Sequence, residues 1–138
     1  MNDRAFIDTN VFIYLYSVDE SEKSARASVA LKKFDCVIST QVLNEFSNFC
    51  IKKWRLDPDD ILSAVSEIRA ACLLEYLNEN TINHALKLYK RYKYSFYDCL
   101  MLSSAIDCEC KYIFSEDMAD GQIIDDKLEI VNIFERSI

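Results

Sequence analysis

Short apolar segments that read as strands are each followed by longer segments of helical periodicity, and this alternation limits the folds open to a 138-residue chain. Arg4 to Asp8 is a strand candidate ending in an acid, and Val11 to Tyr16 reads as a first helix. Glu20 to Phe34 carries Ala25, Val29 and Phe34 roughly one turn apart, a second helix, and Cys36 to Ser39 follows as a second strand. Ser39 or Thr40 can cap a third helix running to about Trp54, with Val42, Leu43, Phe46, Phe49 and Cys50 on its apolar stripe. Asp57-Pro58 opens a fourth helix through Ile61, Leu62, Val65 and Ile68, because proline is pre-set for the first helical position. Leu73 to Leu77 reads as a strand or an extended connector, Glu79 to Tyr92 as a fifth helix, and Ser95 to Cys108 as a sixth. Lys111 to Ser115 and Glu129 to Ile133 are the last strands, with a turn at Asp120-Gly121 between them. Strands alternating with helices imply an α/β fold, a parallel sheet covered on both faces, in one domain over residues 1–138.

Composition removes several function classes. A single glycine, Gly121, leaves no Walker loop and no GxGxxG turn, since each needs several residues without a Cβ close together. A net charge of −7 gives no bulk positive field, so any contact with nucleic acid must rest on local charge. The six cysteines lie mostly in apolar runs with no leader before the first strand, which suits buried thiols in a reducing cytoplasm better than disulfides. Cys108-x-Cys110 lacks the spacing of a zinc knuckle. No apolar run approaches the ~18 residues needed to span a membrane.

Ligands of an open parallel sheet bind outside the carboxyl ends of its strands, so acids placed there carry the most information. Asp8 follows the first strand, and Ser115-Glu116-Asp117 follows the strand at Lys111. Taken alone, Asp8 reads first as the N-cap of the first helix. Asp98 projects from a helix face shared with Met101, Leu102 and Ala105, where an unpaired carboxylate is costly; a capping box with Ser95 is the alternative. Glu45 lies at the rim of its helix's stripe, between Val42 and Phe49. Convergence of all four is most economically a divalent-metal site, because clustered like charges repel unless a cation neutralises them. Hard oxygen donors point to Mg²⁺, with Mn²⁺ as the alternative. His84, the single histidine, reads as a surface residue of the fifth helix.

The segments FIDTNVFIY around Asp8, STQVLNEF around Glu45, SFYDCLMLSSA around Asp98 and IFSEDMADGQ around Asp117 resemble the acidic motifs of PIN domains, especially VapC-type ribonuclease toxins. The resemblance runs from the first strand to VNIF, in the family's order and spacing; related chains often read VNPF where this one has Ile133. It implies a three-layer fold with a small central parallel sheet flanked by helices. It also implies a Mg²⁺-dependent endoribonuclease, the toxin of a toxin–antitoxin pair, with a cognate antitoxin protein as partner. By the same resemblance Asp8, Glu45, Asp98 and Asp117 are the catalytic, metal-binding acids, Asn10 and Ser115 position ligands or water, and Asp120 is an outer acid.

Lys87, Lys90, Arg91 and Lys93 interleave with Tyr89, Tyr92 and Tyr94 ahead of Asp98, a basic aromatic segment suited to unpaired RNA. Lys52, Lys53 and Arg55 form a weaker patch. The apolar content of the fourth helix and of Val11 to Tyr16 suggests a homodimer with a groove for an antitoxin segment, whose basic side chain would reach the acids. A haloacid-dehalogenase-type phosphatase would need an aspartate where Asn10 stands. A catalytically inactive PIN-like module binding RNA or protein is the other alternative, since fold does not fix activity.

Overall fold

The computed structural model describes residues 2–138. In chain order the elements are β1 (Arg4–Ile7), α1 (Thr9–Tyr16), α2 (Ser21–Lys33), β2 (Asp35–Ser39), α3 (Thr40–Lys52), α4 (Pro58–Ala71), β3 (Cys72–Glu75), α5 (Glu79–Tyr92), α6 (Phe96–Asp107), β4 (Tyr112–Phe114), β5 (Ile123–Ile124) and β6 (Leu128–Val131). The strands form one sheet in the order β3-β2-β1-β4-β6-β5, parallel throughout except for the β5–β6 pair. Ala5, Phe6 and Ile7 of β1 and Ile113 and Phe114 of β4 are fully buried. Continuous apolar runs of this kind belong to strands covered on both faces.

The helix pairs after β1 and β2 each step the chain outward to the neighbouring strand, whereas α5 and α6 carry it back across to β4. Right-handed crossovers therefore place α1 to α4 on one face and α5 and α6 on the other, giving three layers. α6 is buried all round from Cys99 to Ala105, which is why its sequence lacks a clear polar face. The strand order reverses at β1, between β2 and β4, and in such sheets the crevice at that switch point is the natural binding place.

One open expectation is resolved and two need correction. The ambiguous segment after α4 is a strand, beginning at Cys72 and ending at Glu75, and it forms the open edge of the sheet. The last strand stops at Val131 because the Asn132 side chain turns back to accept the Phe134 N–H at 2.9 Å. The two-residue strand β5 lies where the sequence suggests only a turn: Asp125 and Asp126, both left-handed at φ 50° and 58°, fold Ile124 back on Leu128. Aspartate tolerates that region better than most residues.

Candidate active site

Asp8 sits one residue beyond β1 at the switch point, 5% exposed, with both carboxylate oxygens engaged. The Thr9 N–H donates to Oδ1 at 2.6 Å and the Ser115 hydroxyl to Oδ2 at 3.1 Å. Asp8 is thus the N-cap of α1 and a switch-point acid at once, so the two readings of the sequence are not exclusive. Its own N–H donates to the Phe114 carbonyl at 3.2 Å, tying it to the end of β4. Ser115 also accepts the Asp117 N–H at 3.3 Å, so one hydroxyl sets the spacing between these two acids.

The other acids enter from both faces of the sheet. Glu45, one turn into α3, accepts from the Thr9 hydroxyl at 2.7 Å and from Gln41 Nε2 at 3.0 Å. The same Gln41 nitrogen donates to the Tyr97 carbonyl at 3.1 Å, so a buried side chain of α3 clamps the residue before Asp98. Gln41 Oε1 and Ser39 Oγ are buried without a hydrogen-bond partner. Asn10 donates to Asp117 Oδ2 at 3.2 Å. At the start of α6, Ser95 Oγ accepts the Asp98 N–H at 3.1 Å, half of a capping box. The reciprocal bond of a full box is made in α5, between Asn78 and Thr81, but not in α6. The Asp98 carboxylate is half-buried and close enough to Asp117 and Glu45 to feel their charge.

Electrostatics identify the cluster. Burial pushes the Asp8 carboxyl up to about 7, against the lowering pull of Ser115 and Thr9 and with added repulsion from Asp98 and Glu45. Burial also raises Asp98, partly offset by Ser95, with repulsion from Asp117 and Glu45 adding to it. Among the described residues no lysine, arginine or histidine forms an ion pair with Asp8, Glu45, Asp98 or Asp117. Nor do any three His, Cys, Asp or Glu side chains form a ready-made metal cage among the described residues. Mg²⁺ needs none, since it keeps several waters and takes only one or two carboxylates with substrate phosphate. Hard oxygen donors with no cationic counterpart fit such an ion.

Other sequence candidates fall elsewhere. Asp120 is occupied: it accepts from Arg136 Nε at 3.0 Å and from the Asn132 N–H at 2.9 Å, and so ties the C-terminal turn to the β4–β5 loop. His84 is not a free surface residue. It is half-buried between α5, α6 and the β5–β6 turn, with Nδ1 3.3 Å from Ser103 Oγ and Nε2 3.6 Å from Asp125. Lys87, Lys90, Arg91 and Lys93 are exposed, and Arg91 pairs with Asp125 at 3.4 Å. Only residues 93–95 separate α5 from α6, so Lys93 stands in the short connection that leads into the helix of Asp98. Tyr92 and Tyr94 turn inward, their hydroxyls bonded to Asp125 and Gln122, and Tyr89 alone of the three is exposed. Lys52 is the last residue of α3, and Lys53 and Arg55 follow it, at the end of the helix away from Thr40.

Sequence reasoning misses Thr9, Gln41 and a neighbouring ion pair. Lys23 of α2 donates to Glu116 at 2.8 Å and lies 4.3 Å above the Tyr14 ring, whose hydroxyl also donates to Glu116 at 2.7 Å. Burial opposes ionisation of Glu116, yet the bonds from Lys23 and Tyr14 hold its carboxyl below the ordinary range. This network anchors the loop that carries Asp117. Gln41, one helical turn before Glu45, is the one member with a readable signal.

Solved structures of the same architecture include a chain of a toxin–antitoxin complex from Klebsiella pneumoniae, 18% identical, with 94% of this chain and 97% of that chain covered at a TM-score of 0.71. VapC20 from Mycobacterium tuberculosis, a sarcin-ricin loop cleaving toxin, is also 18% identical, over 82% of this chain and 89% of that one, at a TM-score of 0.64. VapBC2 from Rickettsia felis, solved with a promoter DNA fragment, is 14% identical over 83% and 88%, at 0.63. These likenesses establish a shared fold. No curated protein sequence matches the chain. The PIN domain family model, however, matches residues 5–135. That span takes in the sheet from β1 to β6 and all four acids at its switch point, and on it the chain belongs to the PIN domain family.

Proposed function

We propose that the chain is a metal-dependent endoribonuclease, the toxin of a toxin–antitoxin pair. The observation that carries this reading is the set of carboxylates at the switch point, two of them raised by burial and mutual repulsion, with no basic partner among the described residues. Asp8, Asp98 and Asp117, with Glu45, would hold Mg²⁺ or Mn²⁺. Bound there, the ion would supply Lewis-acid polarisation of a phosphodiester and acidify a water for in-line attack.

The protein's own part is positioning. Ser115 and the Thr9 N–H fix both oxygens of Asp8, Asn10 orients Asp117, and the Thr9 hydroxyl with Gln41 orients Glu45. Lys90, Arg91 and Lys93 offer phosphate contacts at the α5–α6 corner, and Lys87 one further turn along. Antitoxin binding belongs to the same reading, supported by the fold shared with toxin–antitoxin complexes, and a homodimer is proposed with it from the apolar content of α1 and α4. Among the described residues no helix is long and apolar enough to cross a membrane.

Incubating the purified chain with RNA and with a phosphomonoester, each with Mg²⁺ and with EDTA, tests the proposal. RNA cleavage that EDTA abolishes, with no phosphomonoester turnover, is the expected outcome. EDTA-resistant cleavage, phosphomonoester hydrolysis or no cleavage at all would each overturn it.

A further inference from the structure

The amino edge of the sheet, opposite the acids, gathers thiols. Cys36 is the second residue of β2 and Cys72 the first of β3, and the parallel register sets them directly opposite each other. Cys108 and Cys110 lie nearby, where α6 hands over to β4. All four are free and buried. None takes part in the site described above.

Registered residues on neighbouring strands stand about 4.8 Å apart with side chains on one face, inside the ~4.4–6.8 Å Cα separation that a disulfide spans. The two thiols already influence each other: their proximity is the largest cause that lowers the Cys36 pKa and raises that of Cys72. The Cys36 S–H in turn reaches the Leu31 and Phe34 carbonyls at 3.5 and 3.6 Å. β3 is the open edge strand, so Cys72 lies on the edge and Cys36 one strand in, both side chains buried.

We propose that Cys36 and Cys72 form a redox-active dithiol, a modification site at which hydrogen peroxide converts the pair to a disulfide between β2 and β3. Cys36 is the attacking sulfur, because the Cys72 thiol beside it favours its thiolate. The thiolate attacks one peroxide oxygen and breaks the O–O bond, giving a sulfenic acid and a hydroxide that takes up a proton as water. The Cys72 sulfur, losing its proton, then attacks the sulfenic sulfur, forms the S–S bond and expels hydroxide, which leaves as a second water. In sum the two thiols give up two electrons and two protons, and the peroxide is reduced to water.

The test uses the full reduced chain, folded, treated with hydrogen peroxide, then denatured in an alkylating agent and mapped by mass spectrometry. The expected product joins the Cys36 and Cys72 peptides, two hydrogens lighter than the reduced pair, and is reversed by dithiothreitol. Cys36→Ser removes that product, and Cys72→Ala does the same if the serine variant does not fold. The proposal is overturned if both thiols are alkylated after peroxide treatment, if Cys36 joins Cys110 or Cys108 instead, or if the link forms only in denaturant. It stands independently of the nuclease reading.

Discussion

Replacing Asp8 by asparagine should stabilise the metal-free protein at neutral pH, and the gain should vanish in acid. The folded Asp8 carboxyl titrates at about 7, against an ordinary value of 3.8. Below the ordinary value both folded and unfolded chains hold the proton, and the residue costs nothing. Between the two values the unfolded chain has released its proton while the folded one keeps it, so each pH unit of rise removes about 1.4 kcal/mol of stability. Above the folded value both states are ionised and the penalty is constant. A window of roughly three units sets an upper bound of about 4 kcal/mol, and relaxation at the site brings the expected difference to about 2 kcal/mol. Asparagine keeps an oxygen for the Thr9 N–H, and its amide can donate to Ser115 Oγ once that hydroxyl rotates. Urea unfolding of both proteins in EDTA, at about pH 4, 5.5 and 7.5, reads the effect, with the curves meeting in acid and the variant ahead at neutral pH. Parallel curves would show that the folded site ionises Asp8 without cost, and the electrostatic description of the cluster would be wrong.

Mg²⁺ or Mn²⁺ should raise the melting temperature of the wild-type chain and leave Asp8→Asn nearly unmoved, since an ion that binds only the folded site stabilises by mass action; thermal melts with and without EDTA read this. Lys90→Gln and Lys93→Gln should weaken binding of single-stranded RNA and lower the slope of log affinity against log salt by about 0.7 for each phosphate no longer neutralised, as measured by fluorescence anisotropy. Lys23→Gln should cost about 1 kcal/mol in chemical denaturation, because the half-buried Glu116 keeps its charge but loses its cation. Sedimentation at micromolar concentration should show a dimer, and a monomer there would remove the homodimer from the account.

Much of the architecture is legible because a buried parallel sheet writes itself as apolar runs. Ala5 to Ile7 and Cys36 to Ile38 could hardly be anything else once the helical stripes between them are seen. The acids are legible for a related reason, since Asp8 and Asp117 follow strands and Asp98 stands immediately before the buried run from Cys99 to Ala105. What escapes depends on contacts between residues distant in sequence. β5 is two residues long and rests on a left-handed Asp125-Asp126 turn, which carries no apolar pattern. His84 cannot be placed without knowing that the β5–β6 turn brings Asp125 to α5. Tyr92 and Tyr94 look like stacking residues in sequence, yet their hydroxyls find Asp125 and Gln122 far along the chain and turn the rings inward. Asp120 reads as one more acid of the IFSEDMADGQ segment until Arg136 closes on it.

The central claim is that the switch-point carboxylates hold the cation on which RNA cleavage depends. Its most direct test is the cleavage rate of a labelled RNA by purified wild-type chain and by Asp98→Asn across a Mn²⁺ titration. The account predicts a saturable metal dependence in the wild type and a loss of about 100-fold or more in the variant at every concentration, with the fold intact by circular dichroism. Equal rates for the two proteins with metal present, or wild-type cleavage indifferent to metal, would contradict it.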